Sequence, residues 1–158
     1  MPHPSSGLVE LRAAEKISPA DLRRSSPPTD STPTVLLVDN DSAVRESLGR
    51  VLAAERLTVV TAAGGKDALE SMQSHLPDLV ITDLLMVPLT GWDLMLHVQG
   101  RHPGLPVFVI TALPPKAAGG AERMATHFFQ KPVDIDALVM AIHRHFDASD
   151  TKKTESKN

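Results

Sequence analysis

Residues 79–83 read Leu-Val-Ile-Thr-Asp, a short strand-like run that ends in a carboxylate. Three more apolar runs in the chain also end in a polar residue. If the strands are parallel, these side chains gather at one edge of the sheet, outside the carboxyl ends of the strands, where ligands bind in open α/β sheets. Two carboxylates, a hydroxyl and an ammonium group at that edge predict a magnesium-dependent phosphoryl site. The runs and their polar ends are 35–38 with Asp39, 79–82 with Asp83, 107–110 with Thr111 and 128–130 with Lys131.

Stretches with the apolar period of amphipathic helices separate these strands. Strand and helix alternate five times, because one further strand carries no polar end. Right-handed crossovers then predict a flavodoxin-like (βα)5 fold, a doubly wound parallel sheet with strand order 2-1-3-4-5. In that order the topological switch point lies between strands one and three, which bear Asp39 and Asp83. The predicted helices are 42–55, 66–75, 91–99, 121–125 and 135–146, and the additional strand is 57–61.

The composition is that of an ordinary globular protein. Hydrophobic residues make up 42% of the chain, and a net charge of −3 gives no basic footprint for nucleic acid. There are no cysteines, which excludes disulfides and thiolate metal sites. No apolar run approaches the roughly 20 residues that span a bilayer. We therefore expect a cytoplasmic protein that binds neither nucleic acid nor membrane.

The two flanks differ from the central region in composition. Residues 1–33 contain six of the 13 prolines and six serines, and they are expected to form a flexible leader. Residues 34–146 hold the alternating pattern, and residues 147–158 are expected to form a polar, frayed tail. Neither flank is long enough for a DNA-binding output domain. A stand-alone domain that acts by protein contact is expected.

Four motifs resemble those of the two-component response regulator receiver domain. They occur in the family's order and with its spacing, and the resemblance covers essentially all of residues 34–146. Any one motif would be weak, whereas four together are specific. The motifs are Leu-Leu-Val-Asp-Asn-Asp at 36–41, Val-Ile-Thr-Asp at 80–83, Val-Ile-Thr-Ala at 109–112 and Phe-Phe-Gln-Lys-Pro at 128–132.

The resemblance implies a phospho-acceptor role for Asp83, whose carboxylate would attack the phosphohistidine of a sensor histidine kinase or a histidine phosphotransfer protein. Mg²⁺ would be held by Asp39, Asp83 and the backbone carbonyl of Leu85, together with phosphate oxygens. Lys131 would pair with the phosphoryl oxygens and Thr111 would donate a hydrogen bond to one of them. Such a protein is not an enzyme, because it catalyses only its own phosphorylation and dephosphorylation.

The resemblance also implies a conformational switch. Thr111 would move toward the phosphoryl group, and Phe128 would turn inward into the vacated space. The face formed by the fourth helix, the fifth strand and the fifth helix would then change its preference for a downstream protein target. The same face is a candidate homodimer interface. The peptide bond between Lys131 and Pro132 is expected to be cis.

Three positions depart from the family pattern. Asn40 stands where the family usually has an acid; it is a further candidate metal ligand, but its neutral amide is expected to lower metal affinity. Val87 replaces the usual proline four residues after the phospho-acceptor, so a rearranged loop is expected. Leu85 and Leu113 lie two residues after Asp83 and Thr111, where they are expected to exclude water and slow autodephosphorylation.

Two other functions are compatible with the same residues. In a haloacid dehalogenase-like phosphatase, Asp39 would be the nucleophile and Asp41 the general acid, although the chain has no evident cap domain. A degenerate receiver that only binds proteins is the second alternative, and Asn40 favours it. Asp39 and Asp83 have a purely structural interpretation as well, as strand-end residues that cap helices.

Overall fold

A computed structural model describes residues 32–155 of the chain. The predicted leader therefore lies almost entirely outside the described residues. Strands and helices alternate along the described part, with one short 3-10 turn at Pro115–Ala117. The elements are β1 (Thr34–Val38), α1 (Ser42–Ala54), β2 (Thr58–Ala62), α2 (Gly65–Ser74), β3 (Leu79–Thr82), α3 (Gly91–Arg101), β4 (Val107–Thr111), α4 (Ala121–Met124), β5 (His127–Gln130) and α5 (Ile135–Glu155).

The five strands form one parallel sheet in the order β2-β1-β3-β4-β5, so the predicted fold class is confirmed. In the register of β1 with β3, Val38 pairs with Thr82. The residues that follow, Asp39 and Asp83, therefore leave adjacent strands at the same level. Thr111 pairs with Gln130 at the ends of β4 and β5, which brings Lys131 to the same edge of the sheet.

Two hydrophobic cores lie on opposite faces of the sheet because successive strand residues point to opposite sides. On one face, side chains of α2, α3 and α4 cover the sheet; on the other, α1 and α5 do so. Phe108, on β4, is fully buried in the second core. The doubly wound arrangement thus removes all four positions of β3 from solvent, which explains why its sequence is apolar up to its last residue, Thr82.

The predicted element ends agree with the structure to within about two residues, except at the C-terminus. The last helix was predicted to end at residue 146, but α5 continues to Glu155, so the prediction of a frayed tail from residue 147 is wrong over this stretch. No proline or glycine interrupts residues 147–155. The hydroxyls of Ser149 and Thr151 donate to carbonyls four residues earlier, at 2.9 and 3.1 Å, which a helix accommodates.

No helix among residues 32–155 is both long and apolar enough to cross a membrane.

Candidate functional site

Three of the predicted site residues converge on one point at the carboxyl edge of the sheet. The Lys131 Nζ atom donates hydrogen bonds to Asp39 Oδ2 at 2.9 Å and to Asp83 Oδ2 at 2.8 Å. Asp39 is 3% exposed and Asp83 is 6% exposed. Buried carboxylates need a counter-charge or hydrogen bonds, and a single ammonium group serves both. Lys131 thus balances one of two buried negative charges.

The backbone orients each carboxylate from the other side. Asp39 Oδ1 accepts the N–H of Asp41 at 2.9 Å, and Asp83 Oδ1 accepts the N–H of Leu85 at 3.1 Å. In both cases the donor lies two residues after the acid, a local turn that fixes the side chain as the strand ends. The Oδ2 atoms consequently face each other across Lys131.

Asp41 has a structural role at the start of α1. It is the N-cap residue, and its carboxylate accepts the N–H of Ala43 at 2.9 Å. Its side chain is therefore engaged at the helix end and is exposed there. Asn40 is also exposed. The structure thus brings Asp39 into the cluster and leaves the next two polar residues at its rim.

Arg45 is a site neighbour that the sequence reasoning missed. Its Nη1 atom donates a hydrogen bond of 2.6 Å to the backbone carbonyl of Asp39. The guanidinium group approaches from α1 and adds positive charge behind the buried acid. From the sequence, only residues at strand ends were considered, and Arg45 lies on α1, six residues after Asp39. The signal that could have identified it is a basic residue near the start of the helix that follows the acid.

The pKa of Lys131 is raised above the ordinary lysine value. Burial alone would lower this pKa, because it penalises the ammonium form. Hydrogen bonds and charge from Asp83 and then Asp39 outweigh burial. Lys131 is therefore a permanent cation at neutral pH, available to pair with an anion that enters the site.

A close approach of α3 shapes the back of the site. Gly91 is the first residue of α3, and its N–H donates to the carbonyl of Leu84 at 3.1 Å. Thr90 and Asp93 form a capping box that begins the helix there. The backbone hydrogen bond from Thr90, and then its hydroxyl, lower the pKa of Asp93. This cap fixes the start of α3 at Gly91, beside the backbone that follows Asp83.

Thr111 lies at the same edge of the sheet, at the end of β4, but its hydroxyl is not hydrogen-bonded to Asp39 or Asp83. It is fully buried, its carbonyl accepts the N–H of Lys131 at 2.8 Å, and its hydroxyl accepts the N–H of Leu113 at 3.3 Å. Phe128 is partly buried and packs against the first core, on the side of α3 and α4. The structure therefore places Thr111 and Phe128 on neighbouring strands.

The loop after Asp83 exposes apolar side chains. Val87 is 85% exposed and Leu85 is 47% exposed, whereas Leu113 is partly buried against the first core. Both proline peptide bonds at the site, Val87-Pro88 and the predicted Lys131-Pro132, are cis. Leu85 stands at the rim, so it covers the acids less completely than the sequence suggested.

The donor set fits Mg²⁺ better than a metal that needs many protein ligands. No group of three or more His, Cys, Asp or Glu side chains within residues 32–155 is arranged to hold a metal ion. Mg²⁺ keeps several waters and is often bound by one or two carboxylates plus phosphate oxygens. Asp39 and Asp83, close together and balanced by one lysine, match that demand. A site of this kind can bind a phosphoryl group next to a nucleophilic carboxylate.

Comparison with known proteins agrees with the geometry. Residues 35–143 match the sequence model of the family described as response regulator receiver domain. Transcriptional regulatory protein GlrR of Escherichia coli (strain K12) is 39% identical over 110 residues, 68% of this chain and 25% of GlrR. DNA-binding transcriptional regulator NtrC of the same strain is 36% identical over 112 residues, 70% of this chain and 24% of NtrC. A response regulator receiver protein from Pseudomonas putida has a TM-score of 0.65 at 27% identity, over 72% of this chain and 97% of that one.

The chain spans about a quarter of the length of GlrR and of NtrC. Similarity to these regulators therefore concerns their receiver portion. The expectation that no DNA-binding output domain accompanies this one stays a prediction.

Proposed function

The chain belongs to the response regulator receiver domain family, and from this premise we propose that it accepts a phosphoryl group on Asp83 in two-component signalling. The observation that carries the proposal is the shared hydrogen bonding of Lys131 to Asp39 and Asp83. The donor would be the phosphohistidine of a sensor histidine kinase or a histidine phosphotransfer protein. The result would be a signalling state of the chain and not turnover of a substrate.

In the proposed reaction, a carboxylate oxygen of Asp83 attacks the phosphorus atom. A new phosphorus–oxygen bond forms as the bond to the donor's imidazole nitrogen breaks, and that nitrogen keeps the electron pair. The Leu85 N–H holds the other carboxylate oxygen, so the attacking oxygen is the one that faces Lys131 and Asp39. Positioning and charge stabilisation of this kind account for most of the catalysis in phosphoryl transfer.

Charge repulsion between the carboxylate and the phosphoryl group determines the roles of the metal ligands and of Lys131. An anion must approach an anionic phosphoryl group, and the bound Mg²⁺ would supply the positive charge that lowers this repulsion. Asp39 and Asp83 would hold it with their side chains and Leu85 with its backbone carbonyl; Asn40, exposed at the rim, is the further candidate. Lys131 would exchange one carboxylate partner for a phosphoryl oxygen, because its ammonium group already lies within hydrogen-bond distance of the nucleophile.

The proposed switch uses residues of β4 and β5. Thr111 would turn its hydroxyl from the Leu113 N–H toward the phosphoryl group, and Phe128 would respond on the neighbouring strand. The face of α4, β5 and α5 would then favour a downstream protein target or a second copy of the chain. This population shift is what would convert the chemistry into a signal.

The phosphatase alternative is disfavoured by the position of Asp41. A general acid must reach the leaving group, whereas the Asp41 carboxylate is bonded at the start of α1. The degenerate receiver stays open as an outcome of the test below, because exposed Asn40 supplies no charge.

The test is intact-mass and peptide-mapping spectrometry after incubation with acetyl phosphate and Mg²⁺. A phosphoryl group on Asp83 is the expected result, lost in Asp83→Asn and retained in Asp136→Asn, a control at an exposed acid on α5. A label on Asp39 would favour the phosphatase. The absence of any label, with acetyl phosphate and then with a panel of purified kinases, would favour the degenerate module.

A further inference from the structure

The segment that joins β4 to α4, residues 112–120, is held by a hydrogen bond near each end. Near its start, the Leu113 N–H donates to the hydroxyl of Thr111 at 3.3 Å. Near its end, the indole Nε1–H of Trp92 on α3 donates to the carbonyl of Ala118 at 2.7 Å. The two bonds thus connect one segment to the candidate switch residue and to α3, which lies on the same face of the sheet. We call residues 112–120 the β4–α4 segment.

The contact with Trp92 is a packed one. Ala118 and Ala121, on either side of two glycines, are fully buried. Gly119 has φ +59°, and a Cβ atom placed on it would lie 3.4 Å from the indole nitrogen and 3.8 Å from Cε2. Gly120 also has a positive φ, +88°, but a Cβ atom there would meet nothing within 4 Å. The indole ring therefore rests against Gly119 in particular.

We propose that Trp92 is a positioning residue that holds the β4–α4 segment in its resting arrangement and opposes the switch of Thr111. The inference rests on the proposed function, because it assigns Trp92 a part in the response to phosphorylation. When Thr111 turns its hydroxyl toward a phosphoryl group, the Leu113 N–H loses its acceptor. The Trp92–Ala118 hydrogen bond is then the restraint that limits how far the segment, and α4 after it, moves.

Two consequences follow from this geometry. Without the indole bond, the segment opens more often even in the resting protein, by roughly fivefold, the population change that one lost neutral hydrogen bond produces. The resting state is then less favoured, so that acetyl phosphate labels Asp83 faster. In the intact protein, phosphorylation separates Trp92 from Ala118 and changes the environment of the indole ring.

The first experiment measures amide hydrogen exchange across residues 112–124 without phosphorylation, so it does not depend on the proposed function. Trp92→Phe is expected to exchange faster than wild type by roughly fivefold, and Leu96→Ala, an exposed position on the same helix, is the control. Wild-type exchange in Trp92→Phe, or an equal change in Leu96→Ala, would overturn the proposal.

The second experiment uses tryptophan fluorescence. Trp92 is the only tryptophan and the chain has no tyrosine, so the emission reports on the surroundings of this indole ring. Emission is expected to change when acetyl phosphate and Mg²⁺ label Asp83, and to stay constant in Asp83→Asn. Labelling of Asp83 with unchanged emission would refute the role of Trp92 and leave the proposed function intact. A protein that no donor labels, yet whose Trp92→Phe variant exchanges faster, would refute the proposed function and retain the restraint.

Discussion

Gly91 packs directly against the backbone of Asp83. A Cβ atom at Gly91 would overlap the carbonyl oxygen of Asp83 and would lie 2.7 Å from Cα of Leu84. The same carbonyl oxygen also accepts a hydrogen bond of 2.8 Å from the hydroxyl of buried Thr82. The start of α3 and the end of β3 are therefore in contact through backbone atoms, which cannot move aside as a flexible side chain would. The position of the candidate phospho-acceptor depends on the absence of a side chain eight residues later.

Gly91→Ala is expected to destabilise the fold by about 2 kcal/mol, within the range for overpacked sites, and to slow the labelling of Asp83. Gly100→Ala is the matched control, since Gly100 lies on the same helix with nothing within 4 Å of a Cβ atom. It is expected to stabilise α3 by up to about 1 kcal/mol, the difference in helix propensity. Urea denaturation measures the stability of each variant, and acetyl phosphate labelling measures how fast Asp83 is phosphorylated. Equal behaviour of the two variants would contradict this account.

The raised pKa of Lys131 predicts a loss of stability at alkaline pH. The folded protein holds the Lys131 proton more tightly than the unfolded chain does, so the contribution of the bridge is complete below the unfolded pKa, about 10.4. It is lost as the pH rises through the higher folded value. Lys131→Met is expected to be less stable by about 2 kcal/mol near neutral pH, because two buried carboxylates lose their cation.

The measurement is the free energy of unfolding from about pH 8 to pH 11.5 in wild type, Lys131→Met and the exposed-lysine variant Lys116→Met. With no tyrosine in the chain, lysines dominate the titration in this range. The difference between wild type and Lys131→Met is expected to be constant at first and to shrink above about pH 10. A difference that persists unchanged to the highest pH would count against the bridge.

The lowered pKa of His145 predicts a loss of stability at acid pH, the opposite direction from Lys131. Burial, and then the charge of His127, lower the pKa of His145, whose ring lies 6.1 Å from that of Phe108 between centroids. The unfolded chain therefore binds this proton more readily than the folded protein, so stability falls as the pH drops below the ordinary histidine value, about 6.5. His145→Phe keeps an aromatic ring and is expected to lose less stability than wild type between about pH 7.5 and pH 5. Parallel pH curves for the two proteins would refute this.

Leu85→Asn is expected to shorten the lifetime of the phosphorylated state. An amide at this half-exposed position can orient an attacking water that leucine repels. The hydrolysis rate is expected to rise by about threefold, which corresponds to roughly 0.7 kcal/mol of barrier. Leu76→Asn, an exposed leucine outside the site, is the control. Loss of label over time measures the rate, and a wild-type lifetime equal to or shorter than that of Leu85→Asn would contradict the prediction.

Asn40→Asp is expected to tighten Mg²⁺ binding by about fivefold, since it adds a carboxylate at the rim of a site that already holds two. The neutral amide provides an oxygen but no charge. Titration with Mg²⁺ followed by calorimetry measures the affinity. Asp41→Ala tests whether Asp41, the next acid in the chain, binds the metal: its carboxylate caps α1, so this variant is expected to lose helix stability and keep its metal affinity. Weaker Mg²⁺ binding in the Asp41 variant, with no gain in Asn40→Asp, would show that Asp41 and not residue 40 contributes to metal binding.

Much of the fold and of the site was readable in the chain because the signals are local. Alternating apolar runs and amphipathic stretches, each within about 15 residues, specify strand or helix through side-chain periodicity. A parallel sheet then brings Asp39, Asp83, Thr111 and the residue after β5 to one edge whatever the details of packing. The end of α5 was missed because a polar helix beyond the core has no apolar period to reveal it.

Periodicity thus determined which side chains share an edge, but only the tertiary structure decided which atoms meet there. Lys131 and Asp39 are 92 positions apart, and Trp92 and Ala118 are 26 apart; no local pattern encodes either contact. The contact between Gly91 and the Asp83 backbone likewise depends on where α3 packs against the end of β3. Such contacts depend on the angles and distances at which whole elements pack, a collective result of filling both faces of the sheet at close-packed density.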